Sequence, residues 1–294
     1  MQDDAMIPVE AGEAELAAHR GVAHALQAMQ AIVMRELLKF SQQTGRLVSA
    51  LVRPLLWLAV FAAGFRNVFG VAIVEPYDTY IPYEVYIAPG LVAMIQLFNG
   101  MQSSLSMVYD REMGSMKTLM ISPFPRWFLL LSKLMAGVAV SVVQVYMFLA
   151  VVLIGDLLKF WEVELPPLGY VEMLPAMILT GLMLGALGLV LSSFIKQLEN
   201  FAGVMNFVIF PMFFASSALN PLWRVKESSL WLYRIYSANP FTHAVELIRY
   251  AMYGKFNGLA TGVVAVSLLI FMIAAVWGYD PGRGLIAKRG GPPE

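Results

Sequence analysis

Six apolar segments of about 20 residues constrain this chain more than any other feature. They lie near residues 47–65, 87–108, 128–155, 173–195, 201–222 and 259–278, and each is long enough to cross roughly 30 Å of hydrocarbon. Only 14% of the 294 residues are charged and 59% are hydrophobic, whereas about 25% of the residues of a soluble domain are charged. The pattern predicts an all-α integral membrane protein with six transmembrane helices.

The charged residues that flank these segments predict the orientation of the chain. The loops at 66–86 and 156–172 carry mostly acidic residues. Because cytoplasmic loops are enriched in Lys and Arg, we expect both termini to be cytoplasmic in a multi-pass protein of the inner membrane. The segment 223–258 is also rich in basic residues and does not follow this rule. The basic residues on the predicted cytoplasmic side are Arg35, Lys39, Arg46, Arg111, Lys117, Arg126, Lys133, Lys196, Arg283, Lys288 and Arg289.

The two ends of the chain differ from the part between them. Residues 1–20 are acidic and contain no apolar run of the kind that a cleaved secretory signal has, so we expect a flexible N-terminus. Residues 279–294 are predicted to be a cytoplasmic tail, and residues 21–278 a single membrane domain. Within it, residues 22–43 are predicted to form an amphipathic helix at the inner membrane interface. Its apolar stripe consists of Val22, Leu26, Met29, Val33, Leu37 and Phe40.

A second amphipathic helix is predicted from residue 239 onward. Asn239 is a favoured N-cap residue, Pro240 suits the first helical position, and Gly254 is a typical stop. Apolar residues recur at helical spacing between them. We expect this helix to lie at the outer interface, with Glu246 and Arg249 close enough on one face to pair. The polar face would consist of Thr242, His243, Glu246 and Arg249.

Other patterns concern packing and the membrane interface. Gly181 and Gly185 form a small-x-x-x-small motif, with Gly188 one turn later, and this predicts close contact between helices. Arg53 lies inside the first apolar segment, near enough to one end for its side chain to reach the interface. Aromatic residues are typical anchors at the membrane interface, a role that we expect for Tyr77, Tyr80, Tyr83 and Tyr86.

The composition argues against chemistry on this chain. It has no cysteine, which excludes disulfides, iron–sulfur clusters and thiolate nucleophiles. His19, His24 and His243 are scattered, and none has a spaced carboxylate partner within a span. No glycine-lysine phosphate loop occurs. We therefore predict no catalytic, metal-binding or cofactor-binding residues, and we expect any ATP to be bound and hydrolysed by another chain.

The polar segment between the second and third apolar segments carries most of the functional information. It contains Tyr109 and four charged residues, and it ends at Ser122-Pro123. A solvated cytoplasmic loop would explain the mixed charge. However, Met113 and Met116 are unusual in such a loop, and Gly114 permits a close backbone approach. A short helix with exposed methionines favours a docking surface for another protein.

This segment resembles the signature loop of ABC-2 type transporter permeases. The matching residues are Tyr109 to Ser115, Leu119, Ser122-Pro123 and Lys133. A second set is similar to the C-terminal pattern of the same family, and the resemblance covers roughly residues 25–278. The second set comprises Phe210-Pro211, Ser216-Ser217, Pro221, Asn239-Pro240-Phe241-Thr242, Glu246 and Arg249.

The resemblance implies the permease subunit of an ABC exporter. In this family the loop after the second span is a coupling helix seated on an ATP-binding subunit. The fifth span breaks and returns toward the outer face through short external helices. Two permease copies form the pathway, for which amphipathic drugs or lipids are the first candidate cargo and lipid-linked polysaccharide the second. A secondary transporter or channel is a less favoured alternative, because ionisable groups are nearly absent from the spans. The coupling residues implied are Tyr109, Arg111, Glu112, Gly114, Ser115 and Lys117.

Overall fold

Helices form most of the described chain. The computed structural model describes residues 22–65, 70–71, 75–112, 125–161, 163, 165–195 and 197–278. A two-residue antiparallel pair, β1 (Gly70–Val71) and β2 (Ile81–Pro82), precedes the long helix α3. The helices are α1 (Val22–Gln42), α2 (Thr44–Phe65), α3 (Tyr83–Glu112), α4 (Arg126–Leu157), α5 (Gly169–Glu172), α6 (Leu174–Phe194), α7 (Leu198–Phe214), α8 (Leu222–Ser228), α9 (Leu230–Ala238), α10 (Pro240–Met252) and α11 (Gly258–Gly278).

Three helical stretches of the described chain are long and apolar enough to cross a membrane. They are Trp127–Leu157, Gly169–Phe194 and Gly258–Gly278, and their mean hydropathy is 2.4, 2.2 and 2.6. Shorter apolar helices cover Val48–Phe61 and Leu198–Phe214. The helix α3 has 30 residues, which corresponds to about 45 Å, but polar side chains in its middle make it less apolar than α4.

The long helix α3 lies at the centre of the bundle. It packs against α2, α4, α6, α7 and α10, and almost every residue from Val85 to Leu97 is buried. Because α3 is covered by protein on most sides, Gln96, Asn99 and Ser104 are buried within the bundle, whereas Gln102 is exposed. This central position explains how a helix of modest hydropathy is accommodated in a membrane protein.

Glycines bring α3 and α6 close together, as the small-residue motif predicted. A Cβ atom on Gly188 would lie 2.7 Å from the carbonyl oxygen of Gly100, and one on Gly100 would lie 2.9 Å from the backbone nitrogen of Gly185. Real Cβ atoms do not make such contacts with backbone atoms. The motif therefore serves helix packing, and a side chain at Gly188 or Gly100 would push α3 and α6 apart.

The fifth predicted span, 201–222, is wrong at its C-terminal end, because α7 stops at Phe214. Ser216 Oγ donates a hydrogen bond to the Phe213 carbonyl oxygen at 2.6 Å and accepts one from the Ala218 N–H at 3.2 Å. These bonds satisfy backbone groups that a continuous helix would pair internally. The chain then continues into three short helices, α8, α9 and α10, as the family resemblance implied.

The predicted helix at residues 22–43 is present as α1. Phe40 is buried, whereas Gln27, Gln30 and Lys39 are exposed, and α1 packs against α4 and α2. Leu26, a residue of the predicted apolar stripe, is also 54% exposed, so the stripe is only partly covered by protein, and its location at the membrane interface stays a prediction. The predicted flexible N-terminus at 1–20 and the tail at 279–294 lie outside the described residues.

Candidate functional site

The predicted coupling segment begins in the last turns of α3. Tyr109 is 50% exposed there, and Arg111 and Glu112 complete the helix. Gly114, Ser115 and Lys117 lie outside the described residues. The role of all six coupling residues therefore stays a prediction, although α3 connects their position directly to the centre of the bundle.

The predicted helix start at Asn239 is confirmed, and the side chain does more than cap the helix. Its Oδ1 accepts a hydrogen bond from the Phe241 N–H at 3.0 Å, which is the N-cap interaction. Its Nδ2 donates to the carbonyl oxygens of Met212 and Ala215, both at 2.8 Å. Asn239 thus ties the start of α10 to the end of α7, where the helix leaves carbonyl groups without helical partners.

The other end of α10 also agrees with the sequence. The helix stops at Met252, and Gly254 has φ +63°. This left-handed backbone conformation favours glycine. Pro240, at the first position, lacks the N–H that a helix cannot use there. Both ends of α10 are therefore fixed by local sequence.

Arg249 holds three parts of the chain together. It forms an ion pair with Glu246, its Nη2 donates to the Ser217 carbonyl oxygen at 2.9 Å, and the Tyr86 carbonyl oxygen lies 3.4 Å away. The guanidinium also lies 4.2 Å from the centre of the Tyr86 ring. One side chain from α10 therefore joins the segment after α7 to the first turns of α3.

The first turns of α3 contribute further bonds to the same place. Tyr86 Oη donates to the Ser217 carbonyl oxygen at 2.8 Å, and Tyr83 Oη donates to the Leu219 carbonyl oxygen at 2.8 Å. We call Tyr83, Tyr86, Ser217, Glu246 and Arg249 the outer cluster, after the side of the membrane that the flanking charges predict for it. It links α3 to the short helices by hydrogen bonds as well as by packing.

The predicted outer face of α10 is wrong for two residues. Arg249 is only 2% exposed and Thr242 is fully buried, whereas we expected both on a polar face at the interface. Arg249 is tolerated inside because Glu246 and backbone carbonyl groups replace its hydration. The expectation that Glu246 and Arg249 pair is confirmed.

Three of the four tyrosines predicted to be interfacial anchors are buried in the bundle. Tyr77, Tyr83 and Tyr86 have at most 4% of their surface exposed, and only Tyr80 is open, at 66%. Tyr77 packs edge-on against Tyr253, with ring centres 5.0 Å apart. The hydroxyls of Tyr83 and Tyr86 bond protein carbonyls in place of water, so these two rings are structural.

The charges around Arg249 shift nearby titrations. Burial disfavours its charged form, but Glu246 and the tyrosines outweigh burial and hold the pKa of Arg249 above its ordinary value. Burial raises the pKa of Tyr253 to about 12, although Arg249 opposes the shift. Arg249 therefore carries its charge at every pH at which a membrane protein is handled.

Uncharged polar residues form a second buried group, between α3, α4 and α6. Gln96 Nε2 donates to the Met177 carbonyl oxygen at 2.7 Å, and Gln96 Oε1 accepts from Thr180 Oγ1 at 2.6 Å. Asn99 and Gln144 hydrogen-bond to each other across α3 and α4. The sequence analysis did not single out these residues. The signal that could have found them is the spacing of Gln96 and Asn99, which places two polar residues on one face of an apolar segment.

A groove opens beside this group, between α2 and α3. It encloses about 70 Å³, and Arg53, Phe98, Asn99, Gln102 and Gln144 are among its lining residues. The Arg53 guanidinium lies 3.9 Å from the centre of the Phe98 ring. Arg53 is an exposed residue, and the expectation that its side chain reaches the membrane interface stays a prediction.

No cluster of three or more His, Cys, Asp or Glu side chains that could hold a metal ion occurs among the described residues. What the geometry offers is a bundle of apolar helices, a polar interior, and a set of short helices tied to the central helix. These features are those of a helical membrane protein with a polar interior.

The chain belongs to the ABC-2 type transporter family, whose sequence model matches residues 27–253. This match includes α1 to α10 and both motifs on which the resemblance was based. Members of the family are membrane transport subunits that work with an ABC ATP-binding subunit. The sequence-based recognition of the family is therefore confirmed.

Several curated proteins are similar to this chain. A putative transport permease, ycf38, of Pyropia yezoensis is 27% identical over 233 residues, which are 79% of this chain and 76% of that protein. The ycf38 protein of Cyanophora paradoxa is 26% identical over 229 residues, 76% of this chain and 74% of that protein. The probable multidrug ABC transporter permease YbhR of Escherichia coli K12 is 27% identical over 176 residues, 59% of this chain and 45% of that protein.

Proposed function

We propose that this chain is the permease subunit of an ABC exporter that moves an amphipathic drug or lipid-like substrate across the cytoplasmic membrane. ATP is bound and hydrolysed by a separate subunit, and two permease copies form the pathway. Each copy has six spans and cytoplasmic termini. The observation that carries the proposal is the extent of the family match, 27–253, because it includes the segment 109–123 as well as the outer cluster.

The amphipathic cargo is the first choice for two reasons. One relative bears the name multidrug ABC transporter permease. In addition, described helices expose many apolar side chains along their length, among them Leu56, Val60 and Phe207, so a bilayer-dissolved substrate meets no polar barrier before it reaches the bundle. Lipid-linked polysaccharide is the second candidate cargo.

The coupling step follows from the continuity of α3. An ATP-driven movement of the partner subunits presses on the segment that begins at Tyr109, Arg111 and Glu112. Because α3 is one helix from Tyr83 to Glu112, with Pro89 in its second turn, we infer that a displacement at its cytoplasmic end is passed along the helix to its outer end.

The outer end of α3 is attached to the short helices. Tyr83 and Tyr86 bond the carbonyl groups of Leu219 and Ser217, and Arg249 bonds the same segment. A rigid-body shift of α3 therefore carries α10 and the segment after α7 with it. We infer that this movement opens the route between the two permease copies on the outer side.

Purification of the chain with its ATPase tests the proposal. We expect an ABC-type ATPase, coexpressed from a neighbouring gene, to copurify and to hydrolyse ATP faster when a transported drug is added. Glu112→Ala and Gly114→Trp should each reduce the association or the transport-linked ATPase rate by about tenfold or more, as central interface residues do.

A matched control lies at the other end of the molecule. Glu227 is an exposed acidic residue on α8, and Glu227→Ala should leave both the association and the ATPase rate unchanged. If the ATPase copurifies but Glu112→Ala and Gly114→Trp behave like Glu227→Ala, the coupling role of this segment is refuted. If the chain transports its substrate without any ATPase, the exporter proposal itself fails.

A further inference from the structure

An arginine beside the midpoint of a long membrane helix calls for an explanation. Arginine at the centre of a membrane helix is costly, and such residues generally mark a binding site or a pathway. Arg53 is an exposed residue of α2, and its guanidinium lies beside Phe98, near the midpoint of α3.

The surroundings of Arg53 do not neutralise its charge. Within the ranges that the structure describes, no carboxylate lies in ion-pair distance of Arg53. This contrasts with Arg249, which has Glu246 beside it. The Phe98 ring supplies a cation–π contact only. One positive charge in the groove thus has no anionic partner in the described part of the chain.

The groove around Arg53 has room and polarity for a small anionic group. Its volume of about 70 Å³ is several times the roughly 10–15 Å³ that one water molecule needs by the same kind of measure. Asn99, Gln102 and Gln144 contribute amide groups to its wall. Amide N–H groups and a guanidinium together are suitable donors for a carboxylate or phosphate.

The groove is too small for a hydrocarbon chain, but an apolar surface continues from it along α2. Leu56 and Val60 follow Arg53 by three and seven residues, so all three lie on one face of the helix. Leu56 is 59% exposed and Val60 is 61% exposed. An alkyl chain whose headgroup lies at Arg53 would therefore extend along this face in contact with lipid.

We propose that the groove between α2 and α3 binds the anionic headgroup of a single-chain amphiphile, with Arg53 as the charged ligand and the alkyl chain lying along Leu56 and Val60. The inference rests on the proposed transport function, which it deepens by naming the substrate class as anionic amphiphiles. The ligand is either transported cargo or a lipid of the surrounding bilayer. In both cases it carries a carboxylate or phosphate on an alkyl chain.

Binding of two matched probes to the full-length protein in nanodiscs tests the proposal. The probes are 11-(dansylamino)undecanoic acid and its methyl ester, which share the tail and differ in the headgroup charge. Fluorescence titration without ATP, corrected with empty nanodiscs, gives the two dissociation constants. We expect the wild-type protein to prefer the acid, and Arg53→Gln to weaken acid binding by about tenfold or more, since a hydrogen bond to a charged group contributes on that scale.

Three further measurements distinguish the loss of the charged contact at Arg53 from a structural effect of the substitution. The ester should bind Arg53→Gln as it binds the wild type, which reports an intact groove. Arg53→Lys should retain the preference for the acid because it keeps the charge. Arg234→Gln, which removes the same group from an exposed position on α9, should change neither constant. If the wild type binds acid and ester equally, or if Arg53→Gln keeps the preference, the proposal is wrong.

Nanodiscs of two lipid compositions distinguish a transported amphiphile from a lipid of the surrounding bilayer. If nanodiscs of phosphatidylglycerol abolish acid binding that is seen in phosphatidylcholine, a resident anionic lipid occupies the site. If acid binding persists in both, the site serves a transported amphiphile. The test uses no ATPase, so the anion site can fail while the exporter proposal stands. Transport without an ATPase can refute the exporter without affecting the ratio of the two dissociation constants.

Discussion

Removing Arg249 from the outer cluster should be among the most damaging single substitutions in the described chain. Arg249→Met keeps the apolar stem of the side chain but removes the guanidinium. Glu246 then lacks its ion-pair partner, and the Tyr86 carbonyl oxygen lacks a donor from α10. Breaking a buried ion pair by removal of one partner costs about 3–5 kcal/mol.

Two details of the structure place the expected cost near the lower end of that range. The Ser217 carbonyl oxygen keeps the hydrogen bond from Tyr86 Oη, and the Glu246 side chain is 16% exposed, so water can reach it. We therefore expect a loss of about 3 kcal/mol. With an unfolding entropy of about 2.1 cal/mol/K per residue over 294 residues, this corresponds to a decrease in Tm of about 5 °C.

Intrinsic tryptophan fluorescence during heating of the purified protein measures this decrease. Glu246→Gln should lower Tm by less than Arg249→Met, because an amide oxygen still accepts a hydrogen bond from Arg249. The double variant should lose less than the sum of the two single variants, since the residues in direct contact share one interaction.

The exposed ion pair between Lys255 and Asp78 provides the control. The Asp78 side chain is 85% exposed, and exposed pairs contribute about 0–1 kcal/mol, so Asp78→Asn should shift Tm by less than about 2 °C. If Arg249→Met shifts Tm no more than Asp78→Asn, or if the effects of Arg249→Met and Glu246→Gln add fully, the outer cluster does not stabilise the fold in the way described.

Two other substitutions test helix packing and capping. Gly188→Ala should lower Tm by several degrees, because its Cβ would lie 2.7 Å from the Gly100 carbonyl oxygen and overpacking costs about 1–3 kcal/mol. The control is Gly203→Ala, whose Cβ has nothing within 4 Å and which should not lower Tm. Equal effects of the two substitutions would contradict the packing argument. Asn239→Ala should cost about 2 kcal/mol, from the lost N-cap and two unpaired carbonyls. Asn239→Ser keeps an oxygen for the N-cap but not the amide donors, so its Tm should fall between the wild type and Asn239→Ala in the same thermal measurement.

Local sequence was sufficient to predict the features that depend on neighbouring residues. The start of α10 at Asn239-Pro240 and its stop before Gly254 follow from capping chemistry, which involves only a few adjacent backbone groups. The glycine motif in α6 was predicted for a similar reason, because small residues on one face permit contact regardless of which helix is the partner. The family was recognised from short motifs in a fixed order, and the match over 27–253 confirmed it.

The surroundings of individual polar side chains could not be predicted in this way. Thr242 and Arg249 have the spacing of a solvated face, and whether that face meets water or protein depends on segments far away in the chain. Arg249 is buried because Ser217 and Tyr86, which are distant in sequence, supply its acceptors. The same reason explains why Tyr83 and Tyr86 are structural residues and not interfacial anchors.

The sequence by itself determined that this chain is a helical membrane protein of a transport family. Apolar segments of spanning length can be found directly in the sequence, and in hydrocarbon such segments form helices because the backbone must satisfy its own hydrogen bonds. Only the tertiary structure decided which polar groups are buried and what they contact on other helices. Helix packing brings Arg249 to the carbonyl groups of Ser217 and Tyr86 and leaves Arg53 in a polar groove without a carboxylate partner among the described residues. The physical reason is that the cost of a charge in the membrane depends on its neighbours in space.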